Sequence, residues 1–260
     1  MPILLAIYRL KYQEGASTID FSLDDVRMVA ADLGIVTRNP GDVIYRMRSR
    51  TLLPAPIRDN GFNILRQIGR GHYRFERAVS TLMEIADETI IDTIDTTPLP
   101  VRRLLPELLA EIDEQGLLSV VDYCKLLSHF TGLQVFRLRS HVRKSVAGVG
   151  QVEVDEVDVG VALRDDDAPI IFPIEAKAAL DPVNRVQIAN QVIFALQHFP
   201  GHEVRPIVVK VDHASLLHMA EFNAATDPNS LVIVKRATYR VNLSERQREM
   251  IRKQAQVGPR

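Results

Sequence analysis

With 260 residues, 46% of them hydrophobic and 25% charged, the chain has material for one large or two modest cores, which excludes a disordered or fibrous protein. The single cysteine, Cys124, excludes an internal disulfide framework, and among the apolar neighbours of YCKLL it is expected to be a buried structural thiol. Net charge is only -1 and no apolar run reaches the length of a membrane span, so a cytoplasmic protein is expected.

The N-terminal ILLAI is cut short by Arg9 and Lys11. SLDDVRMVAADLGI then opens on Ser22 as an N-cap, carries acids in its first turn and ends at Gly34, which predicts one amphipathic helix. NPGDVIYRMRSRTLLP predicts a second helix from about Asp42 to Leu52, stopped by Pro54. In GFNILRQIGRGHYRFERA, Ile64 and Tyr73 flank a Gly69-Arg70-Gly71 turn, the pattern of a β-hairpin. From Arg27 to Arg77 there are ten arginines against Asp32, Asp42, Asp59 and Glu76, a local net of 10 - 4 = +6. The order of helix, turn, arginine-bearing helix and arginine-tipped hairpin resembles a winged helix-turn-helix. The resemblance implies duplex DNA binding, with Arg46, Arg48 and Arg50 on or beside the reading helix and Arg70 and Arg74 on the wing. The absence of tryptophan and the scarcity of aromatic residues speak against a platform for single strands.

A stretch with Pro98, Pro100 and Pro106 follows, so residues 1–92 are taken as the DNA-binding domain, 93–103 as a linker and 104–260 as a second domain. Helical spacing up to Gly132 leads into the short apolar segment LQVFRL and then into two acid-bearing strands, GQVEVDEVDVGVALR and PIIFPIEAK. After them come a helix (NRVQIANQVIFALQHF), a strand (VRPIVVKVD), a helix (SLLHMAEFN) and a last strand (LVIVKRATYRV), an order that predicts an α/β domain with a mixed sheet.

Charges inside apolar strands cost several kcal/mol unless paired, hydrogen-bonded or metal-bound. With RDDDAP as the turn, Arg164 falls opposite Pro169 and Asp158 opposite Glu175, with Lys177 on the same face. Carboxylates facing one another call for a cation, and Mg²⁺ is a hard ion that takes oxygen ligands. A lysine beside them can stabilise charge on a phosphate or orient water for attack. Asp155 points to the opposite face unless a β-bulge intervenes, so both aspartates stand as ligands.

Asp158, a turn, and apolar residues leading to Glu175-Ala176-Lys177 resemble the PD-(D/E)xK nuclease superfamily, over roughly residues 104 to 243. The element order resembles that family's αβββαβ core, although the P-D dipeptide is missing and Pro173 precedes the E-A-K. The resemblance implies an N-terminal winged helix domain plus a C-terminal restriction endonuclease-like mixed-sheet domain. It also implies catalytic Asp155 or Asp158 with Glu175 and Lys177, and a further acid on the first helix at Glu107, Glu111 or Asp122. In some restriction enzymes an E-x-D-E run makes the residue at Asp155 or Glu156 the ligand, and Gln187 or Gln191 matches a glutamine that assists the site.

His198, His202, His213 and His218 have no zincin spacing and are expected at the surface or as satisfied core residues; nor is there a Walker loop, a G-x-S-x-G or a dinucleotide fingerprint. The expected function is a Mg²⁺-dependent DNA endonuclease of the prokaryotic restriction type, leaving 5′-phosphate and 3′-hydroxyl ends. A homodimer is expected, and a cognate DNA methyltransferase encoded nearby would fit. The alternatives are a DNA-binding regulator or scaffold with an inactive core, and a repair, junction-resolving or modification-dependent nuclease.

Overall fold

The computed structural model describes residues 2–36, 39–49, 51–86, 90–94, 113–161, 168–212, 216–241, 245 and 249. In the N-terminal part, the ILLAI segment belongs to helix α1 (Pro2–Lys11), followed by β1 (Thr18–Ser22), α2 (Leu23–Asp32), α3 (Pro40–Ser49) and a single turn α4 (Ala55–Arg58). Ser22 and Asp25 form a capping box at the start of α2, and Gly34, at φ 64°, takes the left-handed conformation just past its end. Strands β2 (Phe62–Gly69) and β3 (His72–Arg77) make the expected hairpin, its turn allowed by Gly71 at φ 73°. β1 adds to its free side, giving an antiparallel sheet in the order β1-β3-β2. Phe62, Phe75, Leu4, Ile7 and Ile57 fill the core between this sheet and the helices.

The second part is mixed α/β. Along the chain it comprises β4 (Leu82–Met83), β5 (Ile90–Ile94), α5 (Glu114–Tyr123), α6 (Leu126–Thr131), β6 (Gln134–Val146), β7 (Gly150–Val161), β8 (Ile170–Lys177) and β9 (Val183–Asn184). It continues with α7 (Arg185–His198), β10 (Glu203–Val204), β11 (Ile207–Val211), β12 (Leu216–Phe222) and β13 (Ile233–Val241). One large sheet runs β5-β13-β12-β11-β8-β7-β6; β8 pairs β11 and β13 pairs β5 in parallel, and the other neighbours are antiparallel. Helices α5 and α6 cover one face through Leu117, Val121 and Phe130 packed on Phe172, Ile174 and Val209. α7 covers the other through Ile188 and Ala189 against Val208 and Ala220, and through Phe194 against Val154 and Ile171.

Three expectations are corrected. Within SLLHMAEFN, Leu216–Phe222 form strand β12, which lies antiparallel to β11 on one edge and to β13 on the other; a run buried on both faces carries no period that separates helix from strand. The helical segment ending at Gly132 is broken where Lys125 adopts φ 52°. LQVFRL is the start of a 13-residue edge strand. The expected linker lies outside the described residues apart from residues 93 and 94, which belong to β5.

The N-terminal part is docked on the second. β4 pairs with β9, and the Arg185 amide donates to the Thr81 carbonyl at 3.0 Å. Asn229 Nδ2 donates to the Arg77 carbonyl at 3.3 Å. Gly150, at φ 94°, takes a backbone conformation that favours glycine, and the tip of the Gln67 side chain from the β2–β3 hairpin lies against it.

Candidate active site

Strand β8 carries IIFPIEAK through the middle of the sheet, and Glu175 and Lys177 are 2% and 8% exposed. The expected register is corrected: Glu156 lies opposite Ile174 and Asp158 opposite Phe172, which by one further step sets Asp155 opposite Glu175. Asp155 accepts from the Ala176 amide at 2.9 Å. Around Asp155 the strand departs from strict alternation, since Val152 and Val154 share an apolar cluster with Val157. On β6 the pairing passes from Val142↔Val154 to Ser140↔Glu156, and His141 between them sits at φ 48°. A non-glycine residue held there is strained, as local backbone at functional sites often is.

A residue outside the expected set completes the group. Glu114, the first residue of α5, brings a carboxylate oxygen to Asp155 and Glu175, with ligand atoms all within 4.8 Å of one another. Its position is fixed by Asp113, the N-cap, whose side chain accepts from the Gly116 amide at 2.8 Å, and the positive end of the helix favours the acid. Glu107 and Glu111 lie outside the described residues. Asp122 is at the far end of α5, bonded to Lys125 at 2.9 Å. The sequence signal for Glu114 is the cap itself: Asp113 marks where the helix starts and thus which acid stands at its tip.

Glu175 is held on all sides. Lys177 Nζ and Gln187 Nε2 donate to its Oε1, and Gln191 Nε2 donates to its Oε2. The glutamines, four residues apart on α7, share one helix face, so both reach Glu175. Lys177 also lies 3.7 Å from Glu114. Burial, reinforced by Asp155 and Glu114 and opposed by Lys177, pushes Glu175 up to about 8. Burial likewise raises Asp155, against the pull of the Ala176 amide and Lys177, and raises Glu114. Burial alone would lower Lys177, but the neighbouring carboxylates outweigh it and keep the ammonium charged. Three carboxylates that burial drives toward protonation form a site that a hard cation would neutralise, and their all-oxygen donor set fits Mg²⁺.

Asp158 is not part of this group. It faces the opposite side of the sheet beside Glu156, which receives a 2.9 Å bond from Arg137 Nε. Burial and Glu156 push Asp158 up to about 8, and its Oδ1 is buried with no hydrogen-bond partner.

The acids open on a cleft of about 860 Å³ between the two parts of the chain. Its walls include Ile44 and Tyr45 of α3, Gln67 and Tyr73 of the hairpin, and Arg143 and Gln151 of the β6–β7 ribbon. Arg70 is exposed at the hairpin tip, whereas Arg74 is engaged with Asp20 through two bonds of 2.5 and 2.7 Å. The side chains of Arg46 and Arg48, on α3, and the whole of Arg50 lie outside the described residues. Several of the ten arginines serve the fold: Arg58 bonds the Leu53 carbonyl, Arg66 bonds Glu76, and Arg77 bonds the carbonyls of Ala16 and Asn60.

The remaining candidates behave as core or surface groups. His218 is buried between Thr238 (2.9 Å) and Asp212 (3.2 Å), and His198 stacks on Phe194; His213 lies outside the described residues. Cys124 is half-buried, and burial raises its thiol pKa. Among the described residues no helix is long and apolar enough to cross a membrane. No protein-family model, curated protein or solved structure matches the chain.

Proposed function

We propose that the chain is a Mg²⁺-dependent DNA endonuclease of the PD-(D/E)xK kind, with an N-terminal winged-helix unit and a restriction endonuclease-like second unit. The observation that carries this reading is the convergence of Glu114, Asp155 and Glu175 within 4.8 Å beside the charged Lys177. Mg²⁺ held by these three carboxylates would act as a Lewis acid on the phosphodiester. Lys177 would hold the attacking water and neutralise charge growing on a phosphate oxygen. Gln187 and Gln191 fix the rotamer of Glu175, and the Ala176 amide fixes Asp155, so the ligands are set before substrate arrives. Water oxygen joins phosphorus, the bond to the 3′ oxygen breaks, and a proton passes to that oxygen, leaving a 3′-hydroxyl and a 5′-phosphate.

Cleavage of duplex DNA at two-fold sites by a homodimer, in a restriction system with a cognate methyltransferase, is the biological setting this reading favours. Plasmid DNA incubated with the purified chain tests it: nicking or linearisation with Mg²⁺ and none with EDTA is expected. Equal cutting in EDTA would remove the metal mechanism. No cutting of plain or modified DNA would leave a DNA-binding regulator with an inert core.

A further inference from the structure

The depth and width of the cleft bear on how a strand reaches the acids. Glu175, Lys177 and Asp155 are 2%, 8% and 9% exposed, so a phosphate can meet an ion held among them only by entering the cleft. The cleft of about 860 Å³ is walled by both parts of the chain, so the stretch of nucleic acid that meets the acids must enter between them.

The lining is matched to a nucleobase. Two of the six tyrosines, Tyr45 and Tyr73, face this space in a chain with no tryptophan. Tyr73 is 7% exposed and leans on Phe21 at 5.6 Å, a fixed part of the wall, while Tyr45 is 43% exposed and presents ring surface. Gln151 and Asn190 also line the cleft, and their side-chain amides each offer a donor and an acceptor, the pair of groups a base edge requires. Arg143, 58% exposed by side chain and bonded to Glu153 at 2.9 Å, brings guanidinium donors to the same wall. An aromatic face, amide edges and a guanidinium around one cleft are the elements that recognise an unstacked nucleotide.

We infer that Tyr45, Gln151 and Asn190 form a base-binding subsite, and that the strand to be cut lies in the cleft as unpaired nucleotides. The inference rests on the nuclease reading for the identity of the polymer, and it alters the expectation from composition that single strands have no platform here. The unpaired nucleotides come either from a single-stranded segment or from a base swung out of a duplex.

Equilibrium binding in EDTA separates the possibilities without turnover. The probes are a fluorescein-labelled 20-nucleotide single strand, the same strand fully paired, and the pair with three unpaired thymidines. The two probes with unpaired bases are expected to bind about tenfold more tightly than the full duplex. Tyr45→Ala should abolish that advantage and Tyr45→Phe retain it, since stacking needs the ring and not the hydroxyl. If all three probes bind alike and Tyr45→Ala weakens each about tenfold, the subsite stands and the base is drawn from a duplex. Equal binding of all probes, unmoved by Tyr45→Ala in a protein of normal melting temperature, overturns it. Cutting of the same DNAs with Mg²⁺ is scored apart. Tyr45-dependent binding without cutting would keep the subsite and remove the nuclease, and cutting with binding that Tyr45→Ala leaves unmoved would do the reverse.

Discussion

The two faces of β7 hold two acid clusters that share burial and a raised carboxyl and differ in what surrounds them. On one, Asp155 meets Glu175 and Glu114 at the wall of a cleft; on the other, Asp158 and Glu156 lie against Arg137. Glu175 and Asp158 are each pushed up to about 8. A perturbed carboxyl therefore does not by itself mark chemistry. Convergence of three carboxylates, a lysine beside them and access from a cleft distinguish the first face. On the second, Arg137 bonds Glu156, and burial beside Glu156 pushes Asp158 toward its neutral form.

The largest contrast is expected from matched substitutions on the two faces. Asp155→Asn should lower Mg²⁺-dependent cutting by about three orders of magnitude, as removal of a metal ligand does, and Glu114→Gln by one to two. Asp158→Asn should stay within about threefold of wild type. Strong loss with Asp158→Asn at normal stability, and little with Asp155→Asn, would exchange the roles of the faces.

Alkaline stability gives a second contrast. The folded-state pKa of Asp158 lies above its ordinary value of 3.8, so its contribution to stability is complete below about pH 4 and is lost as pH rises through about 8. Metal-free protein should melt at lower temperature at pH 9 than at pH 7, and Asp158→Asn should reduce that slope and leave the share that Glu175 contributes. Mg²⁺ must displace protons from Glu175, so its affinity should climb between pH 6 and 8, by up to about tenfold per pH unit. Titration calorimetry at pH 6, 7 and 8 would read it, and a flat affinity would contradict an ion bound at Glu175. Wild-type melting curves unaltered between pH 7 and 9 would contradict a neutral Asp158.

The smallest effects concern the hairpin. Arg70→Ala should weaken DNA binding two- to threefold and reduce the salt slope by about one, whereas Arg74→Ala, which breaks a surface pair with Asp20, should cost about 0 to 1 kcal/mol of stability and little affinity. A reversed pattern would mean that Arg74 leaves Asp20 to reach phosphate.

Much of the second unit was legible because its charges stand where apolar residues belong. Glu175 and Lys177 interrupt IIFPIEAK, and the four-residue spacing of Gln187 and Gln191 puts both amides on one helix face. The hairpin register was not legible. Pairing of Gly160 with Ile170 replaces the expected pairing of Arg164 with Pro169, a slip of three residues, and an odd slip exchanges the faces of every side chain, so Asp155 takes the place expected of Asp158. Turn composition does not fix turn length, and the local departure at Asp155 and His141 follows from backbone geometry that residue types do not encode. The β12 strand was hidden for a related reason, since all of its residues but Leu216 are buried, so neither face alternates with a polar one. The docking that makes Tyr45 and Tyr73 neighbours of the acids depends on contacts between residues more than a hundred positions apart, such as Asn229 with Arg77.

The central claim, that the group around Glu175 is a phosphodiesterase centre, is tested most directly by Lys177→Ala. Plasmid cutting with Mg²⁺, DNA affinity and melting temperature are measured on the variant and the wild type side by side. Cutting should fall by about two orders of magnitude or more, with affinity near wild type. The melting curve accounts for any loss from leaving Glu175 without its ammonium. Wild-type cutting by Lys177→Ala, at unchanged melting temperature, would contradict the assignment.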